Sequence, residues 1–162
     1  MLIQFSIKNY KCFKEEVTLS LVASNYDKTT REDQNVIHVE KFGLRLLKSA
    51  VVYGANASGK TKLIDGLAFM KHFIFNSSKE GQIDEPIDVD PFRLSTETEN
   101  EPSTFEVIFV HEDEMYRYGF EIDKHVVHAE WLYHRPKTKE TELFYRDKQH
   151  FEVNTRKFRS TI

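Results

Sequence analysis

Residues 54–61 read Gly54-Ala55-Asn56-Ala57-Ser58-Gly59-Lys60-Thr61, and the interpretation of the chain begins with them. Its two glycines, followed by a lysine and a threonine, match the pattern G-x-x-x-x-G-K-[ST]. The glycines allow a tight backbone turn, so that successive N–H groups converge into a nest for an anion. The pattern therefore predicts a loop that holds the phosphates of a nucleotide.

The residues on either side of this loop fit the prediction. Residues 49–53 form a short apolar run, which predicts a buried strand of the kind found in parallel sheets. After the loop, apolar residues recur at helical spacing up to Ile74, which predicts an amphipathic helix ending near residues 76–78. The start of a helix carries partial positive charge, which favours a phosphate group at this position.

Three side chains at the helix start are predicted to contribute directly to binding. We predict that Lys60, the one candidate for a catalytic role, places its ammonium group on the β- and γ-phosphates. The hydroxyl of Thr61 is predicted to bind Mg²⁺, which prefers hard oxygen ligands. Lys62 follows directly and completes the predicted binding set.

Alternating apolar and polar residues predict β structure over much of the remaining chain. Residues 3–7 and 17–21 each predict a strand, and residues 24–48 predict a long connection with one short strand at 36–39. Five more strands are predicted, at residues 104–110, 115–122, 126–133, 141–145 and 151–153. Short polar turns between these five predict antiparallel hairpins. Residues 79–103, with eight acidic and two basic side chains, predict a solvated loop or insertion.

The composition is that of a globular chain, with 40% hydrophobic and 30% charged residues among 162, enough for one domain over residues 1–162. The net charge of -3 predicts no global attraction to nucleic acid. Cys12 is the only cysteine, so we expect a buried free thiol in a reducing compartment. Without an apolar run of ~20 residues or a signal peptide, we expect a cytoplasmic protein with no membrane partner.

Two segments carry a resemblance to a known class of ATPases. Residues 53–61 resemble the Walker A segment of AAA-annotated ATPases of the ABC/SMC/RecF class, and residues 5–13 resemble the opening strand and turn of that class. In particular, the sequence is similar to the bacterial subgroup linked to abortive infection and phage defence. The resemblance implies an α/β fold, the N-terminal lobe of a P-loop NTPase, with a mixed sheet, a phosphate-loop helix and a hairpin-rich second half. It also implies ATP as the nucleotide.

The resemblance further implies roles for residues and partners outside the loop. A basic residue in the opening turn of the family reaches the phosphates, and Lys11 holds that position here; a solvated turn lysine is the alternative interpretation. Lys8 and Asn9 are weaker candidates for the same rim. The family implies a homodimer that sandwiches ATP, and a nuclease or other effector. A basic excess in residues 124–162 leaves contact with nucleic acid open, although a solvated face is the simpler interpretation.

Two motifs that complete a hydrolytic site in that class do not occur in this sequence. It has no Ser-Gly-Gly signature, and residues 107–113 are only loosely similar to a Walker B strand. There the acids follow His111 in the order Glu112-Asp113, and another predicted strand follows at once, so we interpret this stretch as a hairpin turn. We therefore expect the Walker A lobe of a longer ATPase, which binds ATP-Mg without turnover by itself.

Two other functions are compatible with a phosphate loop. A self-contained P-loop GTPase would read guanine through Asn-Lys-x-Asp, which does not occur in the sequence. A nucleoside kinase would need a helical lid with arginines, whereas the second half of the chain predicts strands. A nucleotide-gated scaffold without catalysis remains compatible with every motif that is present.

Overall fold

The described residues, 1–76 and 86–158 of this computed structural model, form two sheets and one long helix. Their strands are β1 (Leu2–Lys8), β2 (Val17–Ser20), β3 (Val36–Val39), β4 (Leu44–Leu47), β5 (Ser103–His111), β6 (Glu114–Ile122), β7 (Val127–Arg135), β8 (Thr141–Asp147) and β9 (His150–Val153). Their helices are α1 (Glu32–Asn35), α2 (Lys60–Asn76) and α3 (Thr155–Phe158), with a 3₁₀ turn at Glu40–Phe42. None of these helices combines the length and the apolar character that crossing a bilayer requires.

The larger sheet has seven strands in the order β2-β1-β5-β6-β7-β8-β9, and every neighbouring pair is antiparallel. The hairpins predicted from residue 104 onward are therefore confirmed. Glu112 and Asp113 form the β5–β6 turn, with φ angles of 49° and 58°. This is the left-handed backbone of a tight two-residue hairpin turn, which confirms the interpretation of residues 107–113.

The main core lies between helix α2 and one face of the sheet. Alternation along the strands places Ile7, Phe105 and Phe120 side by side on that face, and each is at most 1% exposed. Helix α2 packs on them with its buried residues Leu63, Gly66 and Met70. The predicted amphipathic helix is thus confirmed, and its apolar stripe covers the sheet.

A small hairpin, β3–β4, covers part of the opposite face. Its Leu46 is fully buried against Ile3 and Val110, and Val110 lies on the other side of β5 from Phe105. The sequence predicted only one short strand here, at residues 36–39. Strand β4 was missed because its Leu-Arg-Leu-Leu sequence lacks a clean alternation and contains no β-branched residue.

The strand predicted at residues 49–53 is wrong. These residues have no regular structure, and Val51 and Tyr53 are 70% and 87% exposed. A buried strand needs hydrogen-bonded neighbours, and no described strand pairs with this run. The α/β class is confirmed, since a helix covers a large sheet, but the described strands form no parallel pair and hence no mixed sheet.

The loop before β5 is tied to the first turn of the chain by Asn9. Its side-chain Nδ2 donates to the carbonyl oxygens of Thr98 (2.9 Å) and Glu101 (2.8 Å), and its Oδ1 accepts from the Phe92 N–H at 3.0 Å.

Val89, in the same loop before β5, is only 2% exposed. Residues 86–102 contain no strand or helix, as predicted, but they are partly packed rather than fully solvated. Residues 79–85 of the predicted loop lie outside the described residues.

We predict that Asn9→Ala lowers the free energy of unfolding by about 1–3 kcal/mol, because buried loop groups lose their partners. Asn9 also has a φ of 50°, which alanine tolerates poorly. Asn9→Gly separates the two effects, since glycine accepts this φ but makes no side-chain hydrogen bonds. Urea unfolding should show that the glycine variant is also clearly destabilised. Wild-type stability in the glycine variant would mean that the Asn9 bonds contribute nothing.

A second prediction concerns Gly119, over which the ring of Trp131 lies. A Cβ atom at residue 119 would be 2.5 Å from Trp131 Cζ2 and 2.8 Å from the backbone oxygen of Phe105. The indole ring cannot move easily, because Trp131 Nε1 donates to a Glu106 carboxylate oxygen at 2.9 Å. The Phe105 oxygen is fixed as well, because it belongs to the backbone of β5, which pairs with β6. Gly119→Ala should therefore cost about 1–3 kcal/mol of stability. Gly43→Asn is the control, since position 43 has open space and a left-handed φ of 62° that Asn accepts, and it should change stability by less than about 0.5 kcal/mol.

Candidate functional site

The predicted phosphate loop is exposed and leads directly into helix α2. Residues 51–58 are exposed, and α2 begins at Lys60. The Leu63 N–H donates to the Gly59 carbonyl at 3.0 Å, which makes it the first amide bonded within this turn. The amides of Lys60, Thr61 and Lys62 precede that bond and have no backbone acceptor in the described chain. They are the donors that a helix start offers to an anion.

The two glycines of the loop differ in how strongly the structure requires them. Gly59 has a φ of 92°, and a Cβ there would lie 2.9 Å from Cys12 Sγ and 3.0 Å from Phe13 Cζ. Gly54 makes room for a side chain of the same loop, because a Cβ there would lie 2.6 Å from Ser58 Oγ. The loop conformation thus depends on glycine at position 59, whereas the contact at position 54 is with the end of a side chain that can rotate.

The Lys60 ammonium group folds back over the loop. Its Nζ donates to the carbonyl oxygens of Gly54 (2.8 Å) and Ala55 (2.7 Å). No carboxylate lies within ion-pair distance of it among the described residues. Carbonyl oxygens are neutral acceptors, whereas hydrogen bonds from an ammonium group to a charged acceptor are roughly twice as strong. Lys60 is therefore positioned to exchange these two carbonyl groups for a phosphate.

The hydroxyl of Thr61 is exposed and free to act as a ligand. Thr61 lies in the first turn of α2, and its Oγ1 has no hydrogen-bond partner in the part of the chain that the structure describes. A hydroxyl at this point, beside three free amides, fits the chemistry of an Mg²⁺-phosphate site, since Mg²⁺ takes few protein ligands and prefers oxygen.

The opening turn, residues 9–14, lies against the phosphate loop. Cys12 and Phe13 face Gly59, so the two segments on which the sequence resemblance rests meet in space. Lys11, in the same turn, has a φ of 50° and forms an ion pair with Asp65 of α2 at 3.6 Å. Burial alone would lower the pKa of Lys11, but Tyr10 and Asp65 outweigh it and raise that pKa. Lys11 is thus a protonated cation close to the helix start.

Three expectations about residues 8–12 need correction. Cys12 is exposed, not buried, because the turn lies at the surface and its sulfur faces the loop rather than the core. Asn9 is fully buried and binds the loop before β5, so it is not part of a phosphate rim. Lys8 follows Ile7, which contacts Gly66 of α2, and therefore points to the opposite face of the sheet, beside Glu106 and Trp131.

Sequence reasoning missed the role of Asp65. Its carboxylate accepts from Lys62 Nζ at 3.0 Å as well as pairing with Lys11. The Lys62 ammonium group holds the pKa of Asp65 below its ordinary value, against a smaller opposing effect of burial. The spacing of three residues between Lys62 and Asp65 is the helical ion-pair spacing, and this signal could have identified the pair.

A cleft of about 400 Å³ lies elsewhere, between the loop before β5 and the β6–β7 turn. Its lining mixes both signs of charge, including Arg93, Glu101 and Lys124. The carboxylate of Asp123 in this cleft already accepts from the N–H groups of His125 and Val126, at 2.7 and 2.8 Å. A triphosphate in this cleft would therefore meet the carboxylates of Glu99, Glu101 and Asp123 as well as its cations.

Comparison with known proteins identifies one family. The family model described as "AAA domain, putative AbiEii toxin, Type IV TA system" matches residues 49–159, about two thirds of the chain. The match includes the phosphate loop, helix α2 and strands β5 to β9. No curated protein and no solved structure matches this chain.

We predict that Gly59→Ala lowers the free energy of unfolding by about 1–3 kcal/mol, through left-handed strain and contact with Cys12 and Phe13. Ala57→Gly is the matched control. Ala57 has a φ of 63°, so glycine there relieves strain and should leave stability unchanged or raise it by up to about 1 kcal/mol. Thermal unfolding of both variants checks the loop geometry; equal stability of Gly59→Ala and wild type would contradict it.

Proposed function

The chain belongs to the AAA-domain family of the AbiEii, type IV toxin–antitoxin kind, and from this membership we propose that residues 54–61 bind the triphosphate of ATP together with Mg²⁺. Family membership establishes an abortive-infection-type ATPase domain, and nucleotide binding is the activity that such a domain suggests. The observation that carries the finer proposal is the Lys60 ammonium group: among the described residues it is held by two loop carbonyls alone, beside three helix-start amides without a backbone acceptor.

In the proposed complex, phosphate oxygens replace the carbonyl groups of Gly54 and Ala55 as acceptors for Lys60. The free amides at the start of α2 donate to the same phosphates, and the helix dipole adds partial positive charge there. The Thr61 hydroxyl would be the protein ligand of Mg²⁺, which would neutralise further charge on the triphosphate. Each group already lies on one short segment, so binding requires little rearrangement of the fold.

We propose that this chain acts as the Walker A lobe of an ATPase and does not hydrolyse ATP alone. The acids at residues 112–113 form a hairpin turn, which supports binding without a built-in Walker B strand. The exposed apolar run at residues 51–53, directly before the loop, is suited to pair with a further strand. We also propose that a second copy completes the site around ATP and that a nuclease or other effector is coupled to it.

The experiment is a calorimetric titration with ATP-Mg of wild type, Lys60→Ala and Lys71→Ala. Lys60→Ala should weaken binding by about 1–3 kcal/mol, as expected for the loss of a charge-assisted phosphate contact. Lys71→Ala removes the same charge from an exposed position eleven residues farther along α2 and should bind like wild type. Equal affinity of wild type and Lys60→Ala would reject Lys60 as a phosphate ligand.

Steady-state phosphate release provides a separate check on turnover. The purified wild-type chain should release no phosphate above background, because its sequence has no Ser-Gly-Gly signature and its Glu112-Asp113 pair forms a hairpin turn rather than the end of a Walker B strand. Release that disappears in Lys60→Ala would contradict binding without turnover and would assign hydrolysis to this chain itself.

A further inference from the structure

The carboxylate of Asp65 holds both lysines that flank the phosphate loop. Its Oδ2 lies 3.0 Å from Lys62 Nζ and 3.6 Å from Lys11 Nζ. The two lysines come from different parts of the chain, one from the opening turn and one from the helix, and Asp65 is where they meet. All three side chains are partly exposed, with Asp65 at 34% and Lys11 at 27%. Solvent and ions can therefore reach the cluster.

Asp65 also lies close to the place where phosphates would bind. It follows Thr61 by four residues, so the two side chains share one face of α2 and are about 6 Å apart along the helix axis. A carboxylate at this distance repels a triphosphate and competes with it for the same two ammonium groups. An acid here opposes binding unless the ligand carries enough charge to displace it.

The backbone and ring contacts of Lys11 keep it beside the site when its ion pair breaks. Its N–H donates to the Asp90 carbonyl at 2.8 Å, and its Nζ lies 5.3 Å from the centre of the Tyr10 ring. Tyr10 is 2% exposed and packed in the core. The turn is therefore fixed while the ammonium group, at the end of a flexible stem, can move from Asp65 to a phosphate.

From this geometry we infer that Asp65 is a positioning residue of the phosphate site: it retains Lys11 and Lys62 until a polyphosphate displaces it. This inference rests on the proposed function. A triphosphate carries enough charge to compete for both lysines, whereas a monophosphate competes poorly. Asp65 thus lowers the affinity of any ligand that must displace it to reach the two lysines, and lowers it most for a triphosphate, which would otherwise bind them most strongly.

The test compares wild type, Asp65→Asn, Asp65→Glu, Lys11→Met and Lys11→Met/Asp65→Asn by calorimetry with ATP-Mg and with AMP. Asp65→Asn should bind ATP-Mg about three- to tenfold more tightly than wild type at low salt, and the gain should shrink in 0.5 M NaCl because exposed charges are screened there. The gain for AMP should be smaller, because a monophosphate binds the two freed lysines more weakly than a triphosphate does. Asp65→Glu, which keeps the charge, should bind like wild type.

The double mutant separates retention of Lys11 from a general charge effect. If Asp65 acts by holding Lys11, the gain from Asp65→Asn should fall at least twofold when Lys11 is Met. An equal gain in both backgrounds, or an affinity of Asp65→Asn at or below that of wild type, would overturn the inference. Should Asp65→Asn fail to fold, as judged by circular dichroism, Asp65→Ser removes the same charge and carries the same expectations.

The outcome also distinguishes this inference from the proposed function. Wild type that binds ATP-Mg through Lys60 while Asp65→Asn shows no gain would leave the phosphate site in place and reject only the role of Asp65. Failure of wild type and Asp65→Asn alike to bind ATP-Mg would reject the proposed function, and the inference with it.

Discussion

The position of the phosphate loop depends on the close packing of helix α2 against strand β1. Gly66 allows this approach, because a Cβ there would lie 3.3 Å from Ile7 Cδ1. Leu63 and Met70 are buried on the same side of the helix, and burial of each such side chain contributes roughly 1.5–3 kcal/mol. The residues before the loop pair with no described strand. The loop is therefore held in place from its other side, by helix α2 packed on the sheet and by the opening turn against Gly59.

The site itself is assembled from segments that are far apart in sequence. The opening turn reaches Gly59 through Cys12 and Phe13, and it brings Lys11 to Asp65 on the second turn of α2. Asn9, the first residue of the opening turn, fixes this turn by hydrogen bonds to the loop before β5. The charged groups at the helix start are exposed, so individual ion pairs there contribute little to stability. Their arrangement is the one that the proposed phosphate site would use.

The sequence was sufficient for helix α2 and the hairpins, because each has a short-range signal: a 3.6-residue period for the helix and a two-residue period for the strands. It failed where the outcome depends on partners distant in the chain. The apolar run at residues 49–53 has the composition of a buried strand, yet no described strand lies beside it. Asn9 was expected at an exposed rim and is buried, whereas Cys12 was expected to be buried and is exposed. Burial of a turn residue depends on which distant loop covers it. Asp65 was overlooked because one of its two partners, Lys11, lies more than fifty residues away in the sequence.

The most direct measurement is the map of backbone amide chemical shifts during titration with ATP-Mg. The proposed phosphate site predicts saturable shifts that are largest at Gly59, Lys60 and Thr61, where the amides of the helix start would donate to the phosphates. Smaller shifts should appear in the opening turn around Lys11. Shifts centred instead on the cleft near Lys124 and His125, or no shifts at all at millimolar nucleotide, would contradict it.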